Sequence, residues 1–296
     1  YLAMNRLDDA KSILNTALQR KLGGPLIHEQ FAVIALAQGD KATLAKEDEL
    51  ARGNDQGIYD LLQRDAGLAA VHGQLRRAHD LIAQAEVKAR QIGLGDSIPS
   101  TMASEALLTV MQQGGHDAKS EADAILKQAH TPTLMLSAAD IYARSGDDKK
   151  AEKLVAEAAA ERPEDQNIQD IFAPLIRSII AMNHNQADKA VELMKSAIPY
   201  DGGNPESMYT RASALLMAGR GVDAVQEFQR ILSPKNINPA EPFTSYALLG
   251  LARAYALQGD KAKSRTAYQD FLGAWKDADT DLSLLKQAQS EYAKLQ

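Results

Sequence analysis

Apolar residues recur at steps of three and four along most of the chain, in stretches of a dozen or so residues, and polar residues fill the positions between. That spacing places the apolar set on one face of a helix and predicts a succession of short amphipathic helices. One pair is clear near the carboxyl end. Leu248, Leu251, Ala252 and Tyr255 share a face, and after a turn Ser264, Tyr268 and Phe271 share another. A second is Met135, Ala138, Ala139 and Tyr142, followed by Ala151, Val155 and Ala158, with Pro163 where a helix must stop. A last helix is expected over 281–296, with Leu282, Leu285, Ala288 and Tyr292 on its inner side.

The breaks between helices follow a rule. A Gly or Asn is followed five residues later by a small or aliphatic residue, at Asn5/Ala10, Gly39/Leu44, Gly73/Ala78, Gly115/Ser120, Gly146/Ala151, Asn185/Ala190, Gly219/Ala224 and Gly259/Ser264. Gly and Asn take the left-handed conformation that ends a helix most easily, and the small residue lets a second backbone approach. The intervals between turns are 34, 34, 42, 31, 39, 34 and 40 residues. Thirty-four residues is the tetratricopeptide period, and the pattern resembles that repeat family. Two units depart from it. The second has Asp48 where a large apolar residue is usual, and the fourth has Ala124 and Lys127 on its inner side, so both are expected to pack loosely or bend the array. The longer intervals hold connections at 93–99, 162–165 and 233–239, each marked by Gly or Pro.

The expected fold is all-α, a right-handed α-α superhelix of about eight helix-turn-helix units plus a carboxyl-terminal capping helix. The expected organisation is a single array over 1–296: a half repeat at 1–24, seven further repeats over 25–275, and a cap at 281–296. Tyr1-Leu2-Ala3-Met4 reads as the end of a helix that begins upstream.

Composition narrows the chemistry. A net charge of −6 gives no broad basic surface, so nucleic acid is not an expected partner. With no cysteine there is neither a disulfide framework nor a thiolate metal site. No apolar run reaches the eighteen or so residues of a membrane span, so no insertion by this stretch is expected. Gly219-Arg220-Gly221-Val222-Asp223-Ala224 imitates part of a dinucleotide fingerprint, but it follows a helix and not a strand, and is read as an interhelical turn. The histidines His28, His72, His79, His116, His130 and His184 lack ligand spacing and are read as solvated or capping residues. No catalytic residue, metal or cofactor is assigned, and the chain is not read as an enzyme.

What such an array offers is the concave surface formed by the first helix of each unit. Counting from the inward positions places Thr133, Leu136, Asp140, Leu175, Glu206, Ser213, Tyr246 and Leu249 toward it. The candidate partner-binding residues are Arg144, Phe172, Ile179, Tyr209, Leu216 and Arg253, an apolar and aromatic strip flanked by two cations. The expected partner is a protein or peptide in this groove. A homodimer is the alternative assembly, and a small-molecule sensor, in which the strip around Phe172 and Tyr209 takes a ligand, is the competing function. Some tetratricopeptide proteins clamp a carboxylate tail with cations, but here Glu29, Gln63 and Glu105 stand at the early-unit positions, which disfavours that mode.

A narrower resemblance rests on the segments from Leu249-Gly250-Leu251-Ala252-Arg253-Ala254-Tyr255 to Trp275-Lys276-Asp277-Ala278-Asp279, and on the closing Glu291-Tyr292-Ala293-Lys294-Leu295-Gln296. These are similar to the carboxyl-terminal region of bacterial receptor-like serine/threonine protein kinases that end in tetratricopeptide arrays. Similar arrays also follow winged-helix transcriptional regulators. The first resemblance implies a sensor or docking arm of a kinase, extracytoplasmic if a membrane span precedes it; the second implies a cytoplasmic regulator. None of the kinase catalytic motifs occurs in the chain.

Overall fold

The computed structural model of the protein describes residues 1–2, 6–115, 118–233 and 239–295. The first expected turn at Asn5, Ala3 and Met4, His116, the Pro234–Asn238 part of the third connection and Gln296 lie outside the described residues. The chain has an all-α helical repeat fold, with sixteen α-helices and no strand among the described residues. They group into two compact units.

The first unit comprises residues 1–98 with 233–242. It holds α1 (Leu7–Gln19), α2 (Pro25–Gln38), α3 (Lys41–Arg52), α4 (Asp55–Val71) and α5 (Leu75–Gln91). The pairs α2–α3 and α4–α5 are antiparallel hairpins, and α2 also packs on α4. Each hairpin turns on a glycine in the left-handed region, Gly39 (φ 67°) and Gly73 (φ 70°). At both, the next residue's amide bonds a carbonyl in the last helical turn, Asp40 to Ala35 at 2.8 Å and Gln74 to Ala69 at 2.9 Å. This double-bonded ending satisfies carbonyls that the helix leaves open.

At the departure noted in the second unit, Asp48 accepts from Arg64 Nη2 at 2.6 Å, and Arg64 Nη1 reaches Glu29 at 3.1 Å. An ion cluster therefore occupies the place of an apolar contact. Burial pushes the Glu29 carboxyl up to about 7, outweighing the pull of Arg64, while Asp60, Asp48 and Asp65 push the same way. A carboxyl that holds its proton more tightly folded than unfolded makes stability fall as pH rises from about 4.5 to about 7. We expect Glu29→Gln to remove about 2 kcal/mol of this fall. Urea unfolding of both proteins at pH 5 and pH 8 checks it; parallel pH profiles would refute the assignment.

The second unit comprises residues 99–232 and 243–296. It holds α6 (Ile98–Gln113), α7 (Ala118–Gln128), α8 (Pro132–Arg144), α9 (Asp148–Glu161), α10 (Ala173–Asn183), α11 (Ala187–Leu193), α12 (Pro205–Met217), α13 (Gly221–Ile231), α14 (Pro242–Leu257), α15 (Lys261–Ala274) and α16 (Ser283–Ala293). Hairpins α8–α9, α10–α11 and α12–α13 repeat the arrangement, with the first helices stacked as α8–α10–α12. Met135, Ala138, Ala139, Tyr142, Ala151, Val155 and Ala158 form the core of one pair, as their spacing predicts. Ser264, Tyr268 and Phe271 are buried on α15, and Trp275 stacks on Phe271 with ring centroids 4.8 Å apart. Leu285 and Ala288 of α16 cover this end.

Gly146, Asn185, Gly219 and Gly259 take the left-handed conformation at the turns. Asp147 and Asp260 then cap the next helix by accepting from the amides of Lys150 and Lys263. The fourth turn differs from expectation by one residue, because Gly114 (φ 91°) and not Gly115 is left-handed. Gly115 serves another need: a Cβ there would lie 2.6 Å from the Cα of Ser145. The register of α7 shifts accordingly. Its inner side is Ala118, Ala122 and Ile125, while Ser120 and Lys127 are exposed and Ala124 is only partly covered.

Candidate functional site

A groove of about 490 Å³ opens in the second unit. One wall is the face of α6 that carries Ser100, Ala103, Ser104 and Leu107, at the i, i+3, i+4, i+7 spacing of a single helical side. The opposite wall starts at Pro132, the first residue of α8, behind Thr131, whose hydroxyl accepts from the Leu134 amide. Thr133, Leu136, Ser137 and Asp140 continue it. The floor is Ile168, Phe172, Leu175 and Ile176, and Glu206, from the first turn of α12, closes one end.

The floor owes its shape to a π-helical turn, Asn167–Phe172, ahead of α10. Pro174 has no amide hydrogen to offer the Asp170 carbonyl four residues before it. Ser196 Oγ donates to that carbonyl instead, at 2.8 Å, and Tyr200 donates to the Asp170 carboxylate at 3.1 Å. The helix is thus wide at this point and pinned from the segment after α11.

The closed end is ionic. Arg144 lies beneath it, buried, with Nε donating to Asp140 at 3.0 Å and Nη2 to Glu206 at 2.8 Å. Nη1 points at the Met111 sulfur, 3.0 Å away. Burial pulls the guanidinium pKa down, but Asp140 and Glu206 more than offset this and hold it protonated. Burial and the adjacent Asp140, to which it is hydrogen-bonded, push the Glu206 carboxyl up to about 8 against the pull of Arg144. The far end carries Arg162 and Asp165, 3.9 Å apart.

The six residues expected to form one strip are distributed differently. Phe172 faces the groove and keeps 37% of its surface exposed, whereas Ile179, at 4%, is in the core between α8, α10 and the segment after α11. Arg144 is under the floor and not on it. Tyr209 packs between rings, 5.5 Å from Phe243 and 6.0 Å from both Phe228 and Tyr246. Leu216 is partly covered in the same cluster, and Arg253 is held by both oxygens of Glu291. Tyr246 and Leu249, also expected to face the groove, are buried, and Tyr246 accepts from Gln112 at 3.0 Å. Of the wider inward set, Thr133, Leu136, Asp140, Leu175 and Glu206 do line the groove. The α6 wall and the Arg162–Ile168 rim were not expected; the α6 spacing is visible once the fourth turn is placed at Gly114.

The other candidates are ordinary. His28 pairs with Glu47 at 2.7 Å and His184 with Asp148 at 2.6 Å. Gly219 is the turn between α12 and α13, as expected. Among the described residues no three His, Cys, Asp or Glu side chains are grouped to hold a metal, and no helix is long and apolar enough to cross a membrane.

Residues 177–242, from within α10 to the first residue of α14, match a family model described as tetratricopeptide repeat. None of the curated proteins matches the chain in sequence. Among solved structures it is similar to a tetratricopeptide repeat protein from Parabacteroides merdae, at 14% identity over 80% of this chain and 89% of that one, with a TM-score of 0.41. It is also similar to yeast Tom70, at 13% identity over 98% of this chain and 58% of that one, with a TM-score of 0.43.

Proposed function

We propose that the chain is a non-catalytic protein-interaction module and that the groove of the second unit docks an extended or helical segment of a partner protein. The observation that carries this reading is the groove's construction from α6, α8, α10 and the start of α12, the first helices of four consecutive pairs. A site for one small metabolite needs the walls of one or two. An apolar floor with polar groups at both ends suits a peptide, whose side chains alternate in character along its length. Tetratricopeptide repeats in general bind protein partners, and the match over 177–242 covers α12 at the groove's end.

Phe172 is the side chain best placed to meet such a segment. Selection of displayed random dodecapeptides on the purified chain should yield binders, and Phe172→Ala should weaken them by about tenfold or more, as for a central aromatic anchor. Because Phe172 is part-exposed, the melting temperature should change little. Failure to select any peptide, or equal binding by the variant, would sink the proposal.

The similarity of the last fifty residues to receptor-like kinase tails extends the reading: the module would be the docking arm of a serine/threonine kinase. The coding sequence upstream of Tyr1 tests it directly, since a kinase domain there is required.

A further inference from the structure

We propose that the groove selects a partner segment in which a basic side chain, Lys or Arg, accompanies an apolar one, the cation entering the Asp140–Glu206 end. This rests on the docking reading and adds the chemistry of the docked residue.

Two carboxylates, Asp140 from α8 and Glu206 from α12, share one guanidinium, Arg144. One negative charge is left over, and among the described residues no further cation is bound to the pair. From α6 the neighbour is the Met111 thioether, and from α10 the groove-facing residues are Leu175 and Ile176. Arg177 of α10 is bound to Glu152, Arg253 of α14 to Glu291, and Arg211 and Arg230 to Asp201 and Glu227. Lys195, after α11, is bound to Glu192. Tyr209 of α12 packs among Phe228, Phe243 and Tyr246, and Arg162, which also lines the groove, has Asp165 for a partner.

Burial and Asp140 push the Glu206 carboxyl up to about 8, so that a proton offsets the surplus at neutral pH. A Lys ammonium or Arg guanidinium arriving over the floor supplies the same charge with hydrogen-bond donors in better supply. The Glu206 proton then leaves to solvent, and a basic side chain ends in an ion pair. An acidic partner would place a third carboxylate at this end and is excluded. Leu136 of the α8 wall and the floor residues Phe172 and Leu175 line the same groove as the carboxylates, so the cation and an apolar side chain three or four residues away in a helical segment are read together.

The probes are acetylated, amidated dodecapeptides with one Leu followed three or four positions later by Lys, with Gln and Glu twins at the same position. Binding to the full chain is followed by fluorescence anisotropy at pH 7 and pH 9, where Lys remains charged. The Lys set should bind at least tenfold more tightly than the Gln set, with no binding by the Glu set. Affinity for Lys peptides should rise several-fold from pH 7 to pH 9, and calorimetry in two buffers at pH 7 should show net proton release on binding. Glu206→Gln should abolish the pH dependence and the Lys preference while leaving Gln-peptide binding in place. Asp140→Asn offers the same readout should the first variant unfold. Lys, Gln and Glu peptides bound alike, or a flat pH profile, would overturn the cation-for-proton exchange and leave docking standing. If no peptide binds, both proposals fall.

Discussion

Arg144→Ala should lower the unfolding free energy by about 3–5 kcal/mol, the cost of leaving buried carboxylates without their counter-charge. The guanidinium donates to both Asp140 and Glu206, so its loss leaves Asp140 without its counter-charge, and Glu206 too where it ionises, above about pH 8. The truncation also opens space against Met111. The loss should shrink below about pH 8, where Glu206 takes up a proton and needs no cation, so denaturant unfolding at pH 6 should show a smaller difference from wild type than at pH 9. A triple exchange, Arg144→Met with Asp140→Leu and Glu206→Leu, should recover most of the stability, because a buried ionic cluster contributes little over well-packed apolar groups. It should not recover peptide selectivity. A single variant as stable as wild type would mean that water, not Arg144, compensates these carboxylates.

The second large effect is at Gly250. It lies inside α14, where glycine is worth about 1 kcal/mol less than alanine, so Gly250→Ala would ordinarily stabilise the helix. Here a Cβ would be driven into the ring of Phe228, which is itself fully buried. Overpacking of this kind costs about 1–3 kcal/mol, and a flat ring against backbone has little room to yield. We expect a net loss of about 2 kcal/mol on thermal or urea unfolding. In a Phe228→Leu background the same substitution should be neutral or favourable, giving a coupling of about 2 kcal/mol between the positions. Additive effects would show that the ring is not what excludes the methyl group.

The parts of the fold legible in the sequence were those where the backbone demands one residue type. Left-handed turns need Gly or Asn, and Gly39, Gly73, Gly146, Asn185, Gly219 and Gly259 mark them. Where two glycines adjoin, that logic names either, and choosing Gly115 over Gly114 carried the error into the register of α7. The sixth interval hid something else: α11 has only seven residues and gives way to a 3-10 turn over Ile198–Gly203. Pro199 and the Gly202-Gly203 pair signal that break once it is looked for.

The site was legible where a single helix face lines it, as with Thr133, Leu136 and Asp140 on α8. It was not legible where partners come from afar. Asp140 and Arg144 are four apart and announce a pair, but Glu206 joins them from 62 residues away. Ile179 and Tyr209 satisfy every local criterion for a surface strip; the packing that covers them belongs to neighbouring helices. Periodicity tells which residues share a side, not what else occupies it.

The wide turn ahead of α10 holds one residue per turn more than an α-helix. A one-residue deletion within 167–172 that restored ordinary winding would rotate the upstream side chains by about 100° relative to Ala173–Asn183. Ile168 would swing off the floor while Leu175 and Ile176 stayed in place. The outline of this groove can therefore be rewritten by an insertion or deletion of one codon with no change of chemistry, a step that alignment by substitution alone scores as a trivial gap.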